Sequence, residues 1–241
     1  RSSDLADQLI AGANGDTLQG AAGDDKLVGG AGDDVFEYTG TELNTDVDGG
    51  ETILGGNGTD TLKITGTTAA SLVNGDFSTT TTTSIEKILL TGSAAHSITT
   101  GANGAAAGIK TVDASASSTG VTIDMTSATD TTILGGSAVD ALTAGTGTNH
   151  VTAGAGGDTV TLTGDIGAST LLGGTGADTL AAVTGSAVSL DGTVISSFET
   201  VNVNAAAAVQ VTVGASYAGT LEAATDLTIA ITAGATGSKF D

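Results

Sequence analysis

The chain has 241 residues, with 27 acidic and 6 basic side chains and a formal net charge of -21. This balance argues against nucleic acids and anionic membrane surfaces as partners, because both bind basic protein surfaces. No apolar run approaches the roughly 18 residues of a membrane span, so membrane insertion is not expected. Aromatic residues make up only 2% of the chain, which predicts a thin core of small β-forming residues.

Three consecutive nonapeptides near the N-terminus share one pattern. They begin at Ala11, Gly20 and Gly29, and each has Asp at its sixth position and a large apolar residue at its eighth. A fainter copy begins at Ser2 and keeps Asp7 at the sixth position. Glycine admits positive φ, so the first half of each unit can turn sharply and direct its carbonyls inward. The second half is predicted to be a short strand whose apolar side chain faces the interior.

The same pattern recurs further along the chain. The later copies begin at Gly55, Gly135, Ala144, Ala153 and Gly173. The first and the last of these match fully, whereas Ala138 replaces a fourth-position glycine and Asn149 replaces a sixth-position aspartate in the copies between them. A low-complexity linker is the alternative interpretation of such composition, but contiguous copies in two separate arrays favour a repeat architecture.

These nonapeptides resemble the glycine-rich RTX repeat, G-G-x-G-x-D-x-U-x, of calcium-binding proteins. The resemblance implies an all-β fold, a calcium-bound RTX β-roll, which is an elongated right-handed parallel β-solenoid. It also implies that two nonapeptides form one coil of about 18 residues. Proteins with such repeats typically leave the cell by type I secretion, so the resemblance implies a secreted protein.

Coils of that length stack aspartates from successive turns, with neighbouring strands about 4.8 Å apart. The predicted pairs are Asp7 with Asp25, Asp16 with Asp34, and Asp140 with Asp158. Two carboxylates at that distance repel by roughly 1 kcal/mol in water, and calcium, which prefers oxygen ligands, can neutralise them. The alternative for any one aspartate is a turn residue bonded to its own backbone. Both interpretations stay open for Asp60 and Asp178, which have no partner at this spacing.

The predicted calcium ligands are these aspartates and the glycines whose turns supply carbonyls. They are Asp7, Gly12, Asp16, Gly20, Gly23, Asp25, Gly29, Gly30, Gly32, Asp34, Gly55, Gly58, Asp60, Asp140, Asp158, Gly173, Gly176 and Asp178. Several calcium ions are expected. Zinc is disfavoured, because the chain has no Cys and only two isolated His.

A longer unit recurs around the copies at Gly55 and Gly173. Each copy leads into a strand, a Ser-Leu strand and then a Ser-apolar-Glu-x-apolar motif, at 84–88 and at 197–201. This order indicates an internal duplication, with the threonine run at 79–83 as a surface loop insertion. The predicted regions are an N-terminal RTX β-roll at 1–66, solenoid coils at 67–130, a second RTX array at 131–184 and a C-terminal β-strand region at 185–241.

The remaining segments alternate apolar and polar residues, as at 121–125, 209–213 and 227–231. Such alternation predicts half-buried strands. Helix is expected only as a short turn, at 69–73 or 205–208. Stacked coils leave an exposed strand edge at each end of a solenoid, and such an edge is either capped or joined to another molecule.

The composition and the repeats are similar to those of RTX-bearing bacterial surface-layer proteins. This resemblance implies a structural protein at the bacterial cell surface or in the extracellular space, with itself as main partner and cell-surface polysaccharide as a further one. The absence of Cys fits a secreted protein that is cross-braced by metal. Because the chain begins without Met or a signal peptide, a processed chain or a fragment is expected. The tail at 226–241 resembles a type I secretion signal only loosely.

No catalytic residues are predicted, and the chain is not expected to be an enzyme. His96 and His150 lie far apart and are predicted to be solvated strand residues, and the sequence has no G-x-S-x-G, H-E-x-x-H or phosphate-loop motif. The alternative to a structural protein is an RTX adhesin or matrix module that binds a glycan or a protein. Tyr38, Phe77 and Tyr217 are too scattered to indicate such a binding site.

Overall fold

The computed structural model describes residues 6–42, 51–77, 82–163, 169–182, 188–189, 194–205, 210–212, 228–233 and 239–240. The strands follow one another closely along the chain. They are β1 (Gln8–Ile10), β2 (Thr17–Leu18), β3 (Lys26–Ala31), β4 (Val35–Thr39), β5 (Thr52–Asn57), β6 (Thr61–Thr65), β7 (Ser71–Leu72), β8 (Thr82–Thr83), β9 (Lys87–Leu90), β10 (Ser97–Thr99), β11 (Thr111–Asp113), β12 (Thr122–Asp124), β13 (Thr132–Leu134), β14 (Ala141–Ala144), β15 (His150–Ala155), β16 (Thr159–Leu162), β17 (Thr170–Thr175), β18 (Thr179–Ala182), β19 (Val188–Ser189), β20 (Val194–Ser196), β21 (Thr200–Ala205), β22 (Gln210–Thr212), β23 (Thr228–Ala233) and β24 (Lys239–Phe240). A 3₁₀ helix (Asn74–Phe77) and an α-helix, α1 (Gly101–Ala107), lie between them.

The strands stack in parallel along the sides of a β-solenoid. A nine-stranded sheet has the order β2-β4-β6-β9-β11-β13-β15-β17-β20 and runs along one side. Strands of the other sheets alternate with it in the chain, in the orders β1-β3-β5-β8 and β7-β10-β12-β14-β16-β18-β21-β23, and a further sheet has the order β19-β22-β24. This topology confirms the predicted parallel β-solenoid, because the chain returns to the same sheet, and in the same direction, one coil later.

The four-stranded sheet ends at residues 82–83, shortly after the eight-stranded sheet begins at residues 71–72. The last strand of the former is β8, and helix α1 occupies the corresponding part of the next coil, where the Ile85 N–H donates to the Ala107 carbonyl at 3.1 Å. The helix therefore covers a sheet edge that would otherwise present unpaired backbone groups. Nothing in the sequence interpretation anticipated this helix.

The apolar residues of successive strands form rows inside the solenoid. On the nine-stranded sheet the row is Leu18, Phe36, Leu62, Ile88, Val112, Ile133, Val151, Leu171 and Ile195. On the eight-stranded sheet it is Leu72, Ile98, Ile123, Leu142, Val160 and Leu180. All of them are at most 4% exposed. Because each such side chain stabilises the fold by about 1.5–3 kcal/mol when buried, a thin core gains its stability from its length.

The length of a coil varies along the chain. Asp16 and Asp34 lie 18 residues apart, as predicted, but 26 residues separate Asp34 from Asp60, and 26 also separate Asp60 from Glu86. The strand register is kept nevertheless, with Thr17 beside Val35 and Val35 beside Thr61. The additional residues therefore lie in the connections, where a solenoid tolerates insertions.

Two local predictions were wrong. The short helix expected at 69–73 is replaced by strand β7, and Thr82 of the supposed surface loop begins β8 with only 2% of its surface exposed. Register with a neighbouring strand outweighed local propensity in both places.

The alternating segments at 121–125, 209–213 and 227–231 do contain strands, β12, β22 and β23. The helix expected at 205–208 lies outside the described residues except for Ala205, which ends β21.

Among the described residues, no helix has the length and apolar character needed to cross a membrane.

Candidate metal centre

Acidic side chains form three stacked series, which we call carboxylate ladders. The first ladder is Asp7, Asp25 and Glu51; the second is Asp16, Asp34, Asp60 and Glu86; the third is Asp140, Asp158, Asp178 and Glu199. In each ladder a carboxylate oxygen accepts a hydrogen bond from the backbone N–H of the preceding member, at 2.6–3.0 Å. Every member directly precedes a strand, so the parallel register holds the carboxylates one coil apart.

The ladders contain all three aspartate pairs that the spacing predicted. They also contain Asp60 and Asp178, for which the sequence offered no partner. Asp60 accepts from the Asp34 N–H at 2.8 Å, and Asp178 accepts from the Asp158 N–H at 2.8 Å across a coil of 20 residues. The 18-residue spacing missed these partners, because it assumed one coil length throughout.

The second carboxylate oxygen of most ladder aspartates is buried without a hydrogen-bond partner. These orphan atoms are the Oδ2 atoms of Asp25, Asp34, Asp60, Asp158 and Asp178. Each of these residues is at most 1% exposed. A buried polar atom normally has a partner, and a buried charge needs a compensating one. The orphan oxygens therefore point to a cation as the missing partner.

First-position glycines bring the orphan oxygens of Asp34, Asp60 and Asp178 close to a backbone carbonyl of the next coil. A Cβ on Gly29 would overlap Asp34 Oδ2 and lie 2.6 Å from the Gly55 carbonyl oxygen. A Cβ on Gly135 would lie 2.7 Å from Asp140 Oδ2 and would overlap the Ala153 carbonyl. The space that a side chain would fill is thus lined by carboxylate and carbonyl oxygens. Asp140 differs in that its Oδ2 already accepts from the Gly136 N–H at 2.7 Å.

Burial makes several of these carboxylates poor acids. It raises the pKa of Asp158 to about 6, from an ordinary 3.8. Burial is also the main cause of the raised pKa values of Asp60, Asp140 and Asp178. Neighbouring acids add to the effect at Asp60 and Asp178, through Asp34 and Glu86 and through Glu199 respectively. The folded chain alone therefore disfavours the ionised form, and a cation would restore it.

The donor set fits calcium better than zinc. Within the part of the chain that the structure describes, no three His, Cys, Asp or Glu side chains converge on one point. A cage at a ladder must therefore combine one or two carboxylates with backbone carbonyls. Calcium accepts such an all-oxygen, irregular set, whereas structural zinc sites use Cys and His.

A family model described as the RTX calcium-binding nonapeptide repeat (4 copies) matches residues 2–36, 126–160 and 161–186. The chain contains RTX calcium-binding repeats. The matched segments hold most members of the three ladders, and RTX repeats bind calcium. No curated protein and no solved structure matches the chain.

The RTX unit at Gly55 lies outside the matched segments, yet its aspartate, Asp60, occupies the second ladder like the others. The fourth-position glycines of the RTX turns behave as predicted: Gly32 has φ 108° and Gly58 has φ 130°. Both values lie where a side chain is disfavoured. Glycine is therefore required at these positions by the backbone itself.

Sequence reasoning missed the glutamates of the ladders. Glu86 and Glu199 belong to the two Ser-apolar-Glu motifs, which were recognised as duplicated but were given no role. Glu51 follows a segment outside the described residues, and nothing in its neighbourhood marked it as a ladder member. Its carboxylate accepts from the Asp25 N–H at 3.0 Å and also from the Tyr38 hydroxyl. Burial and the nearby Glu51 charge raise the pKa of Tyr38 above its ordinary range.

Uncharged residues take the ladder position in some coils. Asn149 Oδ1 accepts from the Thr131 N–H at 3.0 Å, and Ser169 Oγ accepts from the Asn149 N–H at 2.9 Å. His96 also lies at this position: it is 1% exposed and its Nδ1 accepts from the Ala70 N–H at 3.1 Å. The prediction of a solvated His96 was therefore wrong, whereas His150 is exposed as predicted.

Proposed function

We propose that this chain is a secreted, calcium-stabilised structural protein that assembles with copies of itself into an extracellular surface layer or filament. The observation that carries the calcium part is the recurrence of buried, unpartnered Asp oxygens beside backbone carbonyls in successive RTX coils. The RTX β-solenoid is a structural, non-enzymatic kind of fold, and the proposed role requires no catalytic group.

Within this proposal, the predicted glycines and aspartates supply the calcium ligands. Each ion would be held by the Oδ2 atom of one aspartate, by carbonyls of the RTX turn that contains this aspartate, and by carbonyls of the next coil. The ion would neutralise carboxylates that otherwise repel one another across a coil. The four regions predicted from the sequence, at 1–66, 67–130, 131–184 and 185–241, would then be alternating calcium-bound and calcium-free stretches of one protein.

The self-assembly part is supported by the strand edge at the beginning of the described solenoid. Strands β1 and β2 each pair with a described strand on one side only. A shallow depression between them is lined by Leu9, Ile10, Ala11, Asp16, Thr17 and Leu18. Ile10 is 67% exposed. Among the described residues, this parallel edge with an exposed apolar residue favours the addition of a further strand, which in the proposed assembly comes from another molecule.

The net charge of -21 suggests how assembly is controlled. Such charge keeps molecules apart until divalent ions neutralise it. Calcium should therefore trigger assembly, and magnesium should substitute poorly because it keeps its waters and demands a tighter octahedron.

Light scattering and electron microscopy of the purified protein, with and without millimolar calcium, test this proposal. Ile10→Lys should slow or abolish assembly, because it places a charge at this edge. Val139→Lys is the matched control, since Val139 is also 67% exposed but lies away from that edge. Monomers at every calcium concentration, together with retention of a glycan or a host protein in a pull-down, would replace the structural proposal by an adhesin.

A further inference from the structure

All three carboxylate ladders end on a glutamate. Glu51, Glu86 and Glu199 each accept from the backbone N–H of the last aspartate of their ladder, at 3.0, 2.8 and 2.6 Å. Glu86 and Glu199 do so from coils that have no G-G-x-G-x-D turn. Register pairs Leu54 with Thr83 and Thr61 with Lys87, so the three residues 84–86 replace the six residues of the RTX turn. The longer side chain of glutamate reaches the ladder from this shorter turn.

The two Ser-apolar-Glu motifs share unusual backbone geometry. Ser84 has φ 55° and Ser197 has φ 57°, although neither is glycine. The apolar residue after each serine, Ile85 or Phe198, is buried in the core at no more than 3% exposed. Left-handed backbone is unfavourable for a residue with a Cβ, so its occurrence at the same place in both copies indicates a common constraint.

The hydrogen bonds of the two motifs are also the same. The Asp60 carbonyl accepts from both Glu86 N–H and Lys87 N–H, each at 3.1 Å. The Asp178 carbonyl accepts from Glu199 N–H and Thr200 N–H, again each at 3.1 Å. In a regular RTX coil the aspartate carbonyl accepts from the following strand alone, as Asp34 does from Thr61 N–H at 2.8 Å.

This geometry directs the serine carbonyl at the last aspartate of the ladder. A Cβ on Gly55 would overlap both the Ser84 carbonyl oxygen and Asp60 Oδ2. A Cβ on Gly173 would overlap the Ser197 carbonyl oxygen and lie 2.9 Å from Asp178 Oδ2. Asp60 and Asp178 are at most 1% exposed, and their Oδ2 atoms have no hydrogen-bond partner. The serine carbonyl thus takes the place that the Gly55 carbonyl takes beside Asp34.

We propose that each Ser-apolar-Glu motif completes a terminal calcium site that lies partly outside the nonapeptide repeats. Asp60 Oδ2 with the Ser84 carbonyl forms one site, and Asp178 Oδ2 with the Ser197 carbonyl forms the other. Glu86 and Glu199 fix the register of these sites and add negative charge beside them. This inference rests on the proposed calcium function, and it assigns to the motif the role of ending a calcium array.

Calcium binding to the full chain, counted by native mass spectrometry and titrated by calorimetry, tests this role. Glu86→Gln keeps an oxygen that can accept from the Asp60 N–H but removes the charge, so calcium affinity at one site should fall by roughly tenfold. The matched control is Glu37→Gln on the same sheet, because Glu37 pairs with Lys63 at 3.2 Å and lies in no ladder. Circular dichroism would show that both variants are folded.

A second pair of variants tests the serine carbonyl. Ser84→Gly preserves positive φ and should bind calcium like the parent chain, whereas Ser84→Val disfavours this backbone and should lose about one ion. If Ser84→Val and Glu86→Gln keep the full stoichiometry and affinity while Asp34→Asn and Asp158→Asn lose ions, the terminal sites are wrong and the calcium function stands. A parent chain that binds no calcium would overturn both.

Discussion

At the scale of single residues, the ladder aspartates that have an orphan oxygen use their two carboxylate oxygens differently. Oδ1 of Asp34 accepts from the Asp16 N–H at 2.8 Å and so belongs to the backbone hydrogen bonding of the solenoid. Its Oδ2 has no partner and lies beside the first-position glycine. An aspartate in a protein turn is often explained by its local backbone bonds alone. Here one oxygen bonds the backbone of another coil, 18 residues away, and the other is left for a ligand.

Gly29→Ala should damage both the fold and calcium binding. The new methyl group would overlap Asp34 Oδ2 and lie 2.6 Å from the Gly55 carbonyl oxygen, and neither group can move without disturbing a neighbouring coil. We expect a loss of about 1–3 kcal/mol in unfolding free energy and weaker calcium binding, measured by urea denaturation and titration. The control is Gly75→Ala, because a Cβ on Gly75 would have no atom within 4 Å. Equal effects of the two substitutions would contradict this prediction.

The calcium-free protein should become less stable as the pH rises. Asp158 has a pKa of about 6 in the folded chain against an ordinary 3.8. Between these values the folded state holds a proton that the unfolded state releases, so the unfolding free energy falls as pH increases through this window. Metal-free protein should therefore melt at a higher temperature at about pH 5 than at about pH 7.5. Differential scanning calorimetry checks this.

Calcium should reverse this fall in stability with rising pH, because calcium binds the carboxylate and competes with the proton. Asp158→Asn keeps an oxygen for the Asp140 N–H and cannot titrate, so its metal-free melting should vary less with pH. A metal-free parent chain that becomes more stable towards neutral pH would show that the buried aspartates do not determine how its stability depends on pH.

At the scale of structural elements, the ladder and the coil depend on each other. Strand register stacks the aspartates, and each aspartate in turn accepts from the backbone N–H that precedes the neighbouring strand. The third ladder illustrates this across unequal coils: 18 residues separate Asp140 from Asp158, and 20 separate Asp158 from Asp178. Position in a ladder, and not spacing in the sequence, therefore defines which aspartates are equivalent.

Asp178→Asn and Asp34→Asn should have similar effects on calcium binding. Each aspartate lies between an earlier and a later ladder member, and each has an orphan Oδ2. Each variant should lose about one ion while keeping the ladder hydrogen bond, as counted by native mass spectrometry. The control is Asp24→Asn, since Asp24 is exposed and belongs to no ladder. A large effect of Asp34→Asn with none of Asp178→Asn would favour isolated, unequal sites.

At the scale of the whole molecule, a thin core is combined with a large negative charge. The rows of buried side chains are only one or two residues wide on each of the two longest sheets. Carboxylates repeat along the ladders beside them. Ordering the backbone costs about 1–2 kcal/mol per residue, and the chain contains 38 glycines, which lose the most freedom on folding. Calcium binding would offset part of this cost.

Chelation should therefore unfold or loosen the protein. Removing calcium should lower the melting temperature sharply and reduce the β signal in circular dichroism. The reason is that a metal site formed only in the folded chain adds its binding free energy to the stability of the fold. Magnesium at the same concentration is the control and should restore little of the signal. A spectrum and a melting temperature that chelator leaves unchanged would show that the solenoid folds without metal.

The sequence by itself determined the class of the fold and the chemistry of the site. Glycine at turn positions, Asp at position six and an apolar residue at position eight specify a tight turn, an inward carboxylate and a buried strand within nine residues. These are local requirements of φ, side-chain length and hydrophobicity, so Gly29, Asp34 and Phe36 could be interpreted without their neighbours.

Only the tertiary structure decided which residues meet from one coil to the next. The places of Asp60, Asp178 and the three glutamates in the ladders, the burial of His96 and the covering of a sheet edge by α1 all depend on register between strands 18 to 26 residues apart. That register is set by backbone hydrogen bonds and the stacking of core side chains, which tolerate connections of different length. Spacing along the chain therefore could not reveal it.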